Sequence, residues 1–144
     1  MAHGRHLHII DAKSRIAFPA PFRQEFGEKF IITRMAEKCL HIFSIEDWNK
    51  IEGKTNNSLF LEDVEELYIR NVIGSAYDIE LDCNGRFVLP KFLIEFAGIV
   101  KNVVSIGCGN RIEVWSKEVL VEYEKNNLFD KDKAKEAVQY WRIN

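Results

Sequence analysis

No apolar run in this chain approaches the ~20 residues a helix needs to cross a bilayer, so a helical membrane span is excluded. Cysteine is scarce: Cys39, Cys83 and Cys108 are odd in number and widely spaced, matching neither a disulfide framework nor a zinc motif. Reduced thiols, no bound metal and no other cofactor are expected. The stretch Met1-Ala2-His3-Gly4-Arg5-His6-Leu7-His8 lacks the long apolar core of a secretory signal, which points to a cytoplasmic protein. A Gly-x-Ser-x-Gly nucleophile elbow is missing. Gly107-Cys108-Gly109-Asn110 is glycine-rich but lies between strand patterns. A phosphate cradle needs a helix N-terminus, so this segment reads as a tight turn.

What remains is ordinary in bulk and uneven in detail. Apolar residues at 47% and charged residues at 29% suit a soluble globular chain. With 144 residues it can bury a core, as one domain or two small coupled halves. Net charge is −2, but residues 1–35 carry +3 and residues 36–72 carry −4. A small basic patch on an acidic protein can still bind a polyanion, above all when an oligomer repeats the patch.

One stretch occurs twice. Ile10-Asp11-Ala12-Lys13-Ser14-Arg15-Ile16-Ala17-Phe18-Pro19 is matched by Leu81-Asp82-Cys83-Asn84-Gly85-Arg86-Phe87-Val88-Leu89-Pro90, each position 71 residues on. Both copies place an apolar residue before Asp-x-x-x-Arg, then an apolar triplet, then proline. Each reads as a short hairpin with a charged tip, the first with strands over 6–10 and 15–18. Asn84-Gly85 is a favoured two-residue turn because both positions tolerate positive φ. Ser14 replaces glycine in the first copy, so that tip is either a different turn or a strained one.

The patterning continues in parallel. Pro19 and Pro90 open short helices that Gly27 and Gly98 stop. Strands follow over 29–33 and 39–43, and again over 102–107 and 111–115, the second pair joined by Gly109-Asn110. Ser44 and Ser116 are natural helix N-caps. Residues 53–60 read as a linker. Residues 61–72 read as a connecting helix, with Leu61, Val64, Tyr68 and Val72 at helical spacing. A further helix is expected over 131–140. The resulting division is a first repeat over 1–52, a linker and connecting helix over 53–75, a second repeat over 76–125 and a helical extension over 126–144.

The tips are the strongest candidate site. In the plainest reading each Asp ties down its own turn and pairs with its own Arg. Duplication with Lys13 and Asn84 in register favours a second role. Arg, Lys and Asn are the donors that reach phosphates and base edges, Arg pairing bidentately with guanine and Asn with adenine. His3, His6 and His8 with Asp11 could suggest a metal site, but no second ligand cluster accompanies them. Ser14, His8 and Asp11 could suggest a catalytic triad, but the second copy carries Gly85 and Ile79 instead, so no enzymatic activity is expected.

Taken together, the chain resembles the MraZ family of bacterial transcription regulators in the AbrB-like superfamily. The resemblance covers residues 1 to about 125. It rests on Met1-x-x-Gly4-x-x-x-His8-x-Ile10-Asp11-Ala12-Lys13 with Arg15 and Pro19-Ala20-x-Phe22-Arg23. It also rests on Leu81-Asp82-x-x-Gly85-Arg86 and on Gly107-x-Gly109-Asn110-Arg111-x-Glu113-x-Trp115. The chain departs from the family at Ser14, where glycine is usual, and at His3, where arginine is frequent.

The resemblance implies an α+β fold of two swapped-hairpin AbrB-like β-barrel units with short helices, related by a pseudo-twofold within one chain. It implies a homo-oligomeric ring, associated with the nucleoid, that binds direct repeats in double-stranded DNA upstream of its own division and cell-wall operon. No small-molecule substrate or membrane partner is implied. Carried over, Arg15 and Arg86 are the main readers of DNA, flanked by Lys13 and Asn84 and by the turn residues Ser14 and Gly85, with Asp11 and Asp82 holding the loops. Two rivals are weighed against this. One is a ring-forming protein-interaction scaffold using the acidic stretch over 62–66 and the last helix. The other is an antitoxin, disfavoured because that role usually pairs one such unit with a disordered tail.

Overall fold

The structure, a computed structural model, describes residues 1–55, 63–127 and 130–141. The first repeat runs β1 (Ala2–Ile9), β2 (Arg15–Ala17), α1 (Ala20–Phe26), β3 (Lys29–Arg34), β4 (Leu40–Ser44) and α2 (Ile45–Thr55). After α3 (Asp63–Asn71) and a 3-10 turn (Ile73–Ser75) the order recurs. It runs β5 (Tyr77–Glu80), β6 (Arg86–Val88), α4 (Lys91–Ala97), β7 (Asn102–Gly109), β8 (Ile112–Ser116) and α5 (Lys117–Asn126), and then α6 (Lys131–Trp141). Residues 53–55 of the anticipated linker form the end of α2, while 56–60 and Leu61 lie outside the described residues.

Local signals place the helices. Pro19 and Pro90 stand immediately before α1 and α4 with φ of −54° and −58°, already close to helical. The Ser44 hydroxyl accepts from the Asp47 amide at 3.1 Å, and the Ser116 hydroxyl accepts from the Val119 amide at 3.3 Å, so both serines cap as anticipated. The β7–β8 hairpin also forms, with the Cys108 amide donating to the Arg111 carbonyl across Gly109-Asn110.

The tip hairpins do not form as the sequence suggests. β1 pairs with β7 of the second repeat rather than with β2, and β5 reciprocates by pairing with β3 of the first. β2 and β6 pair with each other, antiparallel, in the register Arg15 to Val88, Ile16 to Phe87 and Ala17 to Arg86. The strands are therefore arranged as a six-stranded antiparallel sheet, β1-β7-β8-β4-β3-β5, and a two-stranded ribbon, β2-β6. The reason is burial. An isolated hairpin is marginal in water, whereas crossing the repeats puts Ile16 and Phe87 side by side in one core, 1% and 3% exposed.

That core fills the space between one face of the sheet and the ribbon with α1 and α4. It holds Phe22 and Phe26 of α1, Leu93 and Ala97 of α4, and Phe30, Leu40, Ile112 and Val114 of the sheet. Burying each large apolar side chain is worth about 1.5–3 kcal/mol. The opposite sheet face carries two smaller clusters. One is Ile31 and Phe43 with Trp48 of α2, and the other is Cys39, Val104 and Trp115 with Leu120 of α5. Helix α3 buries none of its residues, and Val64 and Leu67 face solvent.

Candidate nucleic-acid interface

Each Asp-x-x-x-Arg segment closes on itself. The Asp11 amide donates to the Arg15 carbonyl at 3.0 Å and the Ser14 amide to the Asp11 carbonyl at 3.0 Å. Asp11 Oδ1 accepts from the backbone amides of Lys13 (2.9 Å) and Arg15 (2.8 Å). The second segment repeats this at Asp82, whose Oδ1 accepts from Asn84 (2.8 Å) and Arg86 (2.9 Å). A carboxylate that takes two amide protons from its own turn fixes the loop's shape. These amides, first of all those of Arg15 and Arg86, hold both carboxyl pKa values below the usual aspartate range.

The two turns share one conformation. Ser14 has φ +61° against +72° at Gly85, and among the described residues it is the only non-glycine at positive φ. Of the two possibilities the sequence left open, the first turn is therefore the strained one. The turns are also joined to each other. The Gly85 carbonyl accepts from the Phe18 amide at 2.9 Å, and the Ser14 carbonyl accepts from the Leu89 amide at 2.8 Å. These reciprocal bonds and the β2–β6 ladder hold Lys13, Ser14 and Arg15 beside Asn84, Gly85 and Arg86.

The arginines are half-exposed and differently held. Arg15 donates from Nε to Asp11 Oδ2 at 2.8 Å, and among the described residues its terminal nitrogens make no hydrogen bond. Arg86 lies 4.0 Å from Asp82 and reaches across to within 3.7 Å of Asp11. Asp11 thus sits between both guanidinium groups. Lys13 and Asn84 are exposed, and it is their backbone amides, not their side chains, that bond the aspartates.

One cation here is absent from the residues assigned to the site from the sequence, although it belongs to the motif that carries the resemblance. Arg23, exposed on α1, lays its guanidinium so close to Gly85 that any side chain there would collide with it. Its place next to Phe22 in a short amphipathic helix is the signal that could have found it. Two other bases of the +3 stretch are engaged elsewhere. Arg5 pairs with Glu124 at 2.6 Å, and Arg34 stacks over Phe92 and Phe96. Lys13, Arg15 and Arg23 of that stretch stand at the turns and are joined there by Arg86. The alternative catalytic grouping is not assembled. His8 Nε2 is 2.8 Å from the Ser105 hydroxyl, and burial lowers its pKa.

The fold and these turns define a duplicated α+β protein that presents two acid-clamped arginines, with further basic and amide side chains, on linked loops. A family model described as "MraZ protein, putative antitoxin-like" matches residues 1–71 and again residues 72–139. The chain belongs to the MraZ family. It is 40% identical over 126 residues, 88% of each chain, to a protein of Thermoanaerobacter sp. named "Transcriptional regulator MraZ". Proteins of the same name from Caldanaerobacter subterraneus and Clostridium acetobutylicum are 39% identical over 126 residues and 36% identical over 125. In both cases 87–88% of this chain and 88% of the relative are covered.

Proposed function

We propose that this chain is a DNA-binding transcription regulator, without enzymatic activity, that grips duplex DNA through its paired Asp-x-x-x-Arg turns. The observation that carries this is the reciprocal bonding of the turns, because it sets the spacing of Arg15 and Arg86 before any DNA arrives. Arg15 and Arg86 read base edges, Arg15 already aimed by its Nε bond to Asp11 with its terminal nitrogens left to donate. Lys13 and Asn84 contact phosphate or neighbouring bases, Ser14 and Gly85 let the backbone come close, and Asp11 and Asp82 hold the loops. Arg23 adds a phosphate contact beside the second turn.

In the same reading the interleaved strands make two swapped-hairpin units related by a pseudo-twofold. The units span 1–52 and 76–125, joined over 53–75 and extended by 126–144. Copies of the chain assemble into a nucleoid-associated ring that sets several turn pairs against consecutive direct repeats upstream of its own operon. Weak single-site affinity is then raised by avidity. The names of the relatives and the local cationic cluster support this reading.

Fluorescence anisotropy of a duplex carrying the upstream region tests it, comparing wild type with Arg15→Ala and Arg86→Ala against scrambled DNA. Binding is expected to be specific, to fall by about 0.9 log units per log salt for each neutralised phosphate, and to be lost in both variants. Salt-insensitive binding, or no preference for the upstream duplex, overturns it. If Arg15→Glu with Arg86→Glu leaves every cellular role intact, the scaffold reading replaces it.

A further inference from the structure

The sheet face turned away from the main core carries a polar cluster that the proposed function does not use. In the β4–β8 pairing His41 lies directly opposite Glu113. Cys39, just before β4, packs with Val104 and Trp115 on the same side of the sheet. The potential ligand atoms of Cys39, His41 and Glu113 all lie within 4.8 Å of one another, with His41 Nε2 3.9 Å from Glu113 Oε2. Cys39 and His41 are 1% and 5% exposed. Among the described residues neither ring nitrogen of His41 has a hydrogen-bond partner. An imidazole always offers a donor, and interiors rarely leave one unsatisfied. At 3.9 Å the carboxylate is too far away to serve as acceptor.

We propose that Cys39, His41 and Glu113 form a binding site for a thiophilic divalent transition-metal ion, with zinc the best match. One thiolate, one imidazole and one carboxylate suit zinc or cobalt and not magnesium or calcium. Tetrahedral bonds of about 2.0–2.3 Å put ligand atoms ~3.3–3.8 Å apart, so closure draws these side chains in by about 1 Å. A fourth position is left to water.

The surroundings fit such a site. The Trp115 indole donates to Glu113 Oε1 at 3.0 Å, which orients the carboxylate and leaves Oε2 toward His41. Arg111 also donates to Oε2 at 3.0 Å, and its side chain is 38% exposed, so an incoming cation competes with this guanidinium for that oxygen. Burial lowers the His41 pKa, which favours the neutral imidazole that ligates a metal. Burial also pushes the Cys39 thiol up, so its sulfur reaches the thiolate form only as the metal–sulfur bond forms and the proton leaves to solvent.

Among the described residues the site occurs once per chain. The last strands of the two repeats match at an offset of 72 residues, Leu40 with Ile112 and Ile42 with Val114, so His41 and Glu113 are each other's counterparts and Cys39 corresponds to Arg111. The ion therefore ties β4 of one repeat to β8 of the other.

Full-length, tag-free protein stripped with a chelator and titrated with Co²⁺, then Zn²⁺, tests the proposal. One Co²⁺ per chain is expected, with a near-ultraviolet thiolate-to-cobalt band and tetrahedral visible bands, all lost as Zn²⁺ displaces it. Cys39→Ser abolishes the thiolate band. His41→Gln and Glu113→Gln weaken cobalt binding at least ~tenfold, while Cys83→Ser and Cys108→Ser leave it unchanged. Zinc raises the melting temperature of wild type and not of His41→Gln, which carries the test if Cys39→Ser fails to fold. A wild type without the thiolate band, or a band that survives Cys39→Ser or is lost in Cys108→Ser, overturns it.

Discussion

Exchanging the two turn residues tests the idea that both loops share one backbone conformation. Ser14 sits at φ +61° and Gly85 at +72°. A residue with a Cβ in that region costs about 1–2 kcal/mol. Glycine in the unfolded chain has extra freedom worth about 0.4–1 kcal/mol, which offsets part of this. Ser14→Gly is therefore expected to stabilise the protein by about 0.5–1 kcal/mol, the difference between those terms. Gly85→Ser is expected to destabilise it by a similar amount, because the exposed Arg23 guanidinium that the new side chain meets can move aside cheaply. For a domain of this size 1 kcal/mol corresponds to about 3–4 °C in Tm. Chemical denaturation and thermal melts of the full chain, at one fixed protein concentration, give both values. The serine hydroxyl makes no hydrogen bond among the described residues that would compensate the strain. If Ser14→Gly lowers stability, or both substitutions act in the same direction, the shared strained conformation is refuted.

Asp11 and Asp82 have folded pKa values depressed by their turn amides, so the stability they add is present above the ordinary carboxylate pKa of about 3.9 and lost as pH falls through the lower folded values. NMR titration of the Asp11 carboxyl carbon should show a midpoint below that of a free aspartate, and Asp11→Asn should remove the acid-sensitive loosening of the first turn. Phe22 is 1% exposed and edge-on to His6 at 5.1 Å. Phe22→Ala should cost about 3–5 kcal/mol in urea unfolding, and a loss under 1 kcal/mol would place the core elsewhere.

Features legible in the sequence are those decided within one turn or one helical period. The prolines before α1 and α4, the serine caps of α2 and α5 and the Asp-x-x-x-Arg loops all act on neighbours within four residues, so the local pattern carries them. The connecting helix was legible from apolar spacing, although Val64 and Leu67 turn out to face solvent because nothing among the described residues covers that side. The patch charge was legible only as a sum. Removing Arg5 and Arg34 from it required seeing Glu124 and the rings of Phe92 and Phe96 beside them.

By itself, then, the sequence determined that two equivalent acid-clamped loops exist, that each is followed by a short helix, and which family the chain resembles. Tertiary structure alone decided what those loops sit beside. Strand patterns state which side chains are buried and not which strand they face, since the ladder's backbone bonds are the same for any partner. Burial of Ile16 against Phe87 chose the crossed pairing over two separate hairpins. That choice brought Arg86 to Asp11 and Arg23 to Gly85, and the β4–β8 pairing brought His41 to Glu113, residues far apart in the chain that share no local rule.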